Sequence, residues 1–104
     1  MGKAKLISEL TNLLAIALRH RIGSIVNKEE IYVQKYAKDA LILINEAKKL
    51  AIQKNWNFQD KHEIKKQLKL KLQKELEEKT FINNKKFELM DNEIEKVLKE
   101  ISLN

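Results

Sequence analysis

Apolar residues recur at every third or fourth position along four successive stretches of this chain, and no proline interrupts any of them. A turn of α-helix takes about 3.6 residues, so this spacing gathers the apolar side chains on one face of a helix. The stretches cover residues 3–21, 28–54, 60–79 and 84–102, each to within a few residues. We therefore predict an all-α fold, a single-domain bundle of four helical segments spanning residues 1–104, because an isolated helix cannot bury such a face.

The second stretch has the widest apolar band, which covers more than half of the helical circumference. Four small residues lie together on it, and they would let a neighbouring helix approach closely: Ala37, Ala40, Ala47 and Ala51. At about 27 residues this helix would be roughly 40 Å long. We predict a long central second helix that meets neighbours on two sides.

Polar residues suggest where the helices begin and end. The first apolar stripe loses its register at Arg21, and Gly23 follows, so we predict a connector over residues 22–26. Side chains suited to capping precede the other helices: Asn27 with Glu30, Asp60 with Glu63, and Asn83 or Asn84.

One segment within the third stretch also fits a β-strand. Residues 68–72 alternate Leu and Lys with period two, as a half-buried strand would. We favour a helix, because residues 60–79 contain a single β-branched residue, Ile64, and no second strand-like segment is present to pair with.

Positive charge is concentrated in one part of the chain. The net charge is +6, and residues 48–74 carry nine Lys against Asp60 and Glu63. Such a concentration would attract phosphate groups, which predicts DNA or RNA as a partner through this basic stretch. The alternative is an ordinary solvated helix, since these lysines point in several directions and their stems can cover apolar surface.

The two arginines are the first candidate site residues. Arg19 and Arg21 stand together near the predicted end of the first helix, where two guanidinium groups can make forked contacts with phosphates. The structural alternative is stabilisation of the helix C-terminus, with an ion pair from Arg21 to Asp39 or Glu46.

Lysines of the third helix and one aromatic residue complete the candidate nucleic-acid site: Lys61, Lys65, Lys66, Lys69 and Trp56. An aromatic ring beside a lysine cluster can stack on a base. Trp56 and Phe58 can equally close the end of the bundle, and we expect Phe58 to be the stronger candidate for such a core role.

The residue inventory argues against catalysis. The chain has no Cys, and its two histidines, His20 and His62, fall in different helices. His62-Glu63 begins like a zinc-protease motif, but Lys66 stands where the second His must be. We therefore expect no enzyme, no catalytic residue, no metal site and no cofactor.

Two functions remain open. The first is a small basic accessory protein that contacts nucleic acid, alone or within a nucleic-acid-processing complex. The alternative is a protein-interaction module, a homodimer or a subunit with a hetero-partner, that uses the apolar band of the second helix. Outlying aliphatic residues are its candidate contact points: Ile31, Ile42, Leu70 and Leu89. The longest apolar run is residues 40–44, against the roughly 20 needed to span a bilayer, so we expect a cytoplasmic protein without a membrane partner.

Overall fold

The described residues form four α-helices. The computed structural model describes residues 2–26, 30–79 and 85–104, with side chains in the second helix described from Val33 onward. The helices are α1 (Lys3–Val26), α2 (Glu30–Ala51), α3 (Phe58–Glu78) and α4 (Lys86–Glu100). No strand occurs within these ranges, and α3 runs unbroken through residues 68–72. The all-α four-helix bundle is therefore confirmed.

The core consists of leucine and isoleucine side chains repeating along three helices. They come from α1 (Leu6, Leu10, Leu14, Leu18, Ile22), α3 (Ile64, Leu68, Leu72, Leu76) and α4 (Ile94, Leu98). The smaller contribution of α2 consists of Ala40, Ile44, Ala47 and Ala51. Burial of each large aliphatic side chain stabilises the fold by about 1.5–3 kcal/mol, so the apolar stripes hold the bundle together.

The central helix is α1. It is the longest helix, at 24 residues, and it packs against the other three, whereas α2 packs chiefly against α1. The predicted central position of the second helix is therefore wrong. The wide apolar band predicted more burial of α2 than the structure shows, because Leu41 and Ile42 remain 61% and 51% exposed. The helix also ends at Ala51 rather than at about residue 54, while its predicted start at residue 28 falls outside the described residues.

The α1 helix continues through the segment predicted to be a connector. Gly23 lies in its last turns and is buried, and Val26 is its last residue. The break in the apolar stripe at Arg21 is real, but it does not end the helix. The Arg21 guanidinium is instead held by carboxylates of α4, so a cation can occupy that position of the stripe.

The start of α3 lies earlier than predicted. Asn57 is the N-cap: its side chain accepts a hydrogen bond from the Asp60 amide at 2.8 Å, and the Asp60 carboxylate accepts one from the Asn57 amide at 3.1 Å. Asp60 is therefore the third residue of the helix and not its cap, because Asn57 supplies the same reciprocal bonds one turn earlier. The other predicted caps, Asn27 and Asn83 or Asn84, fall outside the described residues.

The C-terminus folds back onto α4. The Leu103 amide donates to the Leu98 carbonyl at 2.7 Å, and the Ser102 amide donates to the Lys99 carbonyl at 3.1 Å. These bonds form a Schellman motif, in which Ser102 adopts φ 61°, a conformation that usually favours glycine. The motif buries the Leu103 side chain beside the end of α4.

Candidate functional site

The predicted site residues of α1 lie in ion pairs within the fold. Arg19 Nη1 lies 3.0 Å from Glu75 Oε2 of α3, and both side chains are half-buried. Arg19 Nη2 lies 3.1 Å from His20 Nε2, and a guanidinium can only donate, so the imidazole nitrogen accepts. Burial lowers the pKa of His20, and the positive charge of Arg19 lowers it further.

Arg21 joins α1 to α4. Its Nε donates to Glu93 Oε1 at 2.9 Å, and its Nη1 lies 3.0 Å from both carboxylate oxygens of Glu100. Glu93 is only 2% exposed and also contacts Lys96 at 3.2 Å. The sequence suggested an ion pair for Arg21 with Asp39 or Glu46, and the partners are two α4 carboxylates instead.

The two arginines are therefore separated from the basic start of α3. Arg19 lies beside Glu75, which is fourteen residues, or about 21 Å, along α3 from Lys61. A single patch that includes Arg19, Arg21 and the four predicted lysines is not formed, and both guanidinium groups have carboxylate partners.

The predicted lysines of α3 differ in their surroundings. Lys65 forms an ion pair with Glu95, and Lys69 lies 3.4 Å from Asp91. Both lysines are 53% exposed, and pairs of this kind at the surface contribute at most about 1 kcal/mol. Lys66 is exposed, and Lys61 is half-buried at the edge of a cleft.

Another lysine of the basic stretch has a structural role. Lys71 Nζ donates to Thr11 Oγ1 at 2.6 Å and to the Ser8 carbonyl at 3.1 Å. Burial lowers its pKa. The positive charge of residues 48–74 is therefore not all available to a partner.

The two aromatics between α2 and α3 have opposite environments. Trp56 packs against the core. Its Nε1 donates to the Ala51 carbonyl at 2.7 Å, which gives a hydrogen-bond donor to a carbonyl at the C-terminal end of α2. Phe58 is 85% exposed. The expectation that Phe58 plugs the core is therefore wrong, because the cap at Asn57 makes Phe58 the first residue of α3, so that Trp56 and not Phe58 stands before the cap.

Phe58 lies at the mouth of a cleft between the start of α3 and the end of the chain. We call it the Phe58 cleft; its volume is about 440 Å³, and it is lined by Phe58, Lys61, His62, Lys65, Glu95, Leu98, Leu103 and Asn104. The cleft combines an exposed ring, two ammonium groups, an imidazole and the Glu95 carboxylate with the apolar side chains of Leu98 and Leu103. An aromatic ligand that carries negative charge fits this combination.

The sequence did contain a signal for this cleft. Lys61 and His62 lie three and four residues after Phe58, and Lys65 lies four and three residues after them, so the four share one flank of α3 once Asn57 is recognised as its cap. Leu103 and Asn104 carry no such signal, because the Schellman motif at Ser102 brings them to the cleft.

The rest of the described chain offers little for other chemistry. No group of three or more His, Asp or Glu side chains in its described part could hold a metal ion. None of the described helices is long and apolar enough to cross a bilayer. No family model matches the sequence, and no significant match was found among curated proteins or solved structures.

Proposed function

We propose that this chain is a small non-enzymatic accessory protein that contacts single-stranded nucleic acid at the Phe58 cleft, alone or within a nucleic-acid-processing complex. The observation that carries the proposal is the Phe58 ring, which is 85% exposed beside Lys61, His62 and Lys65. An unstacked base can lie on such a ring, while the ammonium groups meet the adjacent phosphates. A cytoplasmic location is part of the same proposal, since nucleic acid would be met there.

The charge around the cleft supports a modest affinity. Lys61 and Lys66 lie on either side of Lys65 along the chain, and Lys65 must exchange Glu95 for a phosphate. That exchange costs little, because both members of the pair are about half exposed. With about three phosphates neutralised, log affinity should fall against log salt with a slope of roughly −2 for a single strand. A footprint that also used the arginines would give a steeper slope.

The test is fluorescence anisotropy with labelled twelve-nucleotide DNA and RNA strands. Phe58→Ala should weaken binding by about 1–3 kcal/mol, the usual value of one base stacked on an aromatic ring. Phe87→Ala is the matched control, because Phe87 is also exposed and has Lys86 Nζ 5.2 Å from its ring centroid, but it does not line the cleft. Equal affinities for the two variants, or no binding at low salt, would contradict the proposal.

The second candidate function is a protein-interaction module that uses α2. The observation that favours it is the peripheral position of α2, which packs chiefly against α1 and leaves Leu41 and Ile42 exposed. Of the other aliphatic contact points expected from the sequence, Leu70 is exposed, whereas Leu89 packs against the core. The side chain of Ile31 lies outside the described part of the chain.

A further inference from the structure

A groove runs along the flank of α2 that faces α4. From α2 it is lined by Ala37, Ala40, Leu41, Ile44, Asn45 and Lys48, and from the other side by Arg21 and Glu100; we call it the α2 groove. Its volume is about 440 Å³. The α2 residues recur at spacings of three and four, so they form a continuous row along the helix.

The shape of the groove suits a helix. Ala37 is small and exposed, so the backbone of a second helix can approach α2 closely at this point. Leu41 is 61% exposed and stands beside it. The row from Ala37 to Lys48 spans eleven residues, or about 16 Å, which corresponds to three turns of a docked helix.

The charge along the groove identifies the kind of helix that fits. Lys48 lines the groove, and the exposed Lys38 lies one turn before Leu41 at its outer edge. The opposite wall is balanced in charge, because the two cations Arg21 and Lys96 contact the two carboxylates of Glu93 and Glu100. The acidic Glu46 lies within 3.3 Å of Lys49 and does not line the groove. The uncompensated charge at the groove edge is therefore positive.

We propose that the α2 groove binds an amphipathic helix of another protein, with its apolar face on the exposed Ala37 and Leu41 and acidic residues along one flank opposite Lys38 and Lys48. The inference deepens the second candidate function and does not depend on nucleic-acid binding at the Phe58 cleft. A second copy of the chain is a poorer occupant. Pairing through α2 brings the Lys38 and Lys48 edges of two chains together, and each chain has a net charge of +6.

The test is selection of displayed helical peptides on the full chain. The peptides keep a leucine seam at three- and four-residue spacing, and their flanks are randomised. We expect the selected peptides to carry Asp or Glu on one flank. Leu41→Ser should weaken their binding by about tenfold or more, as expected when a central apolar contact is lost. Ile42→Ser is the matched control, because Ile42 is similarly exposed on the same helix but does not line the groove.

A double charge-reversal variant tests the role of the positive charge at the groove edge. Lys38→Glu combined with Lys48→Glu should reverse the preference toward basic flanks, while circular dichroism confirms an unchanged helix content. Selected peptides without an acidic bias would refute the proposal that the partner helix is acidic, but they would still support an interaction module. No selection at all would overturn both.

Sedimentation of the chain alone tests whether a second copy of the chain occupies the α2 groove. A monomer at all concentrations is the expected result. A reversible dimer that Leu41→Ser abolishes and Ile42→Ser keeps would make a second copy the occupant and overturn the proposal.

Discussion

The two sides of α4 carry similar charge pairs in different surroundings. Toward α1, Arg21 meets Glu93, which is 2% exposed. Toward α3, Lys65 meets Glu95 with both side chains about half exposed. A buried carboxylate that loses its partner is left without compensating solvent, whereas an exposed one is rehydrated. The first pair therefore belongs to the fold, and the second remains available to a ligand.

A third pair lies between these extremes. Arg19 and Glu75 join α1 to α3, and their side chains are 19% and 27% exposed. The three pairs therefore form a series in which exposure rises and structural importance should fall. This series explains why the two arginines do not extend the basic surface of α3.

The largest expected effect is at Arg21. Arg21→Met removes the main cation from Glu93 and leaves Lys96, which is 56% exposed, as its remaining partner. We expect the free energy of unfolding to fall by about 3 kcal/mol, the low end for a buried pair that loses one member, because Lys96 remains beside Glu93. Urea denaturation followed by circular dichroism measures this change.

The control for Arg21 is the apolar double variant Arg21→Met with Glu93→Leu. It removes the buried carboxylate together with its partner, so most of the lost stability should return. Stability that stays as low as in Arg21→Met would show that the loss arises from packing of the arginine stem and not from an uncompensated charge.

An intermediate effect is expected at Arg19. Arg19→Gln should lower the free energy of unfolding by about 1 kcal/mol, because Glu75 is partly exposed and can be hydrated when its partner is lost. Thermal unfolding of Arg19→Gln and Arg21→Met, measured side by side, ranks the two losses of stability directly. A loss as large as that at Arg21 would break the relation between exposure and importance.

The same region predicts a dependence of stability on pH. Burial and the charge of Arg19 hold the pKa of His20 below its ordinary value of 6.5, so the folded chain favours the neutral ring. The unfolded chain then binds more protons between the lowered pKa and 6.5, and stability falls as pH decreases through this window. Unfolding at pH 7.5 and about 5.5 should show a smaller difference for His20→Gln than for the natural chain.

His62→Gln is the control for this measurement. His62 is the other histidine of the chain and is exposed on α3. An equal change in both variants would rule out His20 as the source.

The sequence predicted the helices well and their neighbours less well. Apolar residues at three- and four-residue spacing define a buried stripe, which is why α1, α3 and α4 could be anticipated. The same pattern failed for α2, because the width of an apolar band does not say whether a neighbour covers it. Leu41 and Ile42 remain more than half exposed. Tertiary packing decides that question.

The candidate site was only partly predictable for the same kind of reason. Local spacing places Lys61 and Lys65 on one flank of α3, and that part of the prediction describes the Phe58 cleft. The partners of Arg21 lie 72 and 79 residues away along the chain, so no local pattern could separate a phosphate-binding arginine from a buried ion pair. The sequence favoured Phe58 for the core and Trp56 for the site, whereas in the structure Trp56 packs against the core and Phe58 is exposed. The two roles depend on whether the N-cap of α3 is Asn57 or Asp60.

The smallest effect on stability is expected at the exposed edge of α4. Lys65→Gln and Lys69→Gln should each change the free energy of unfolding by less than about 0.5 kcal/mol, because the pairs with Glu95 and Asp91 are open to solvent. Of these two lysines, only Lys65 lines the Phe58 cleft. Lys65→Gln should therefore reduce the magnitude of the salt slope of single-strand binding by about 0.7, whereas Lys69→Gln should leave the slope unchanged. Anisotropy titrations at several salt concentrations measure this slope. A change at Lys69 as large as at Lys65 would mean that bound strands follow α3 instead of ending at the cleft.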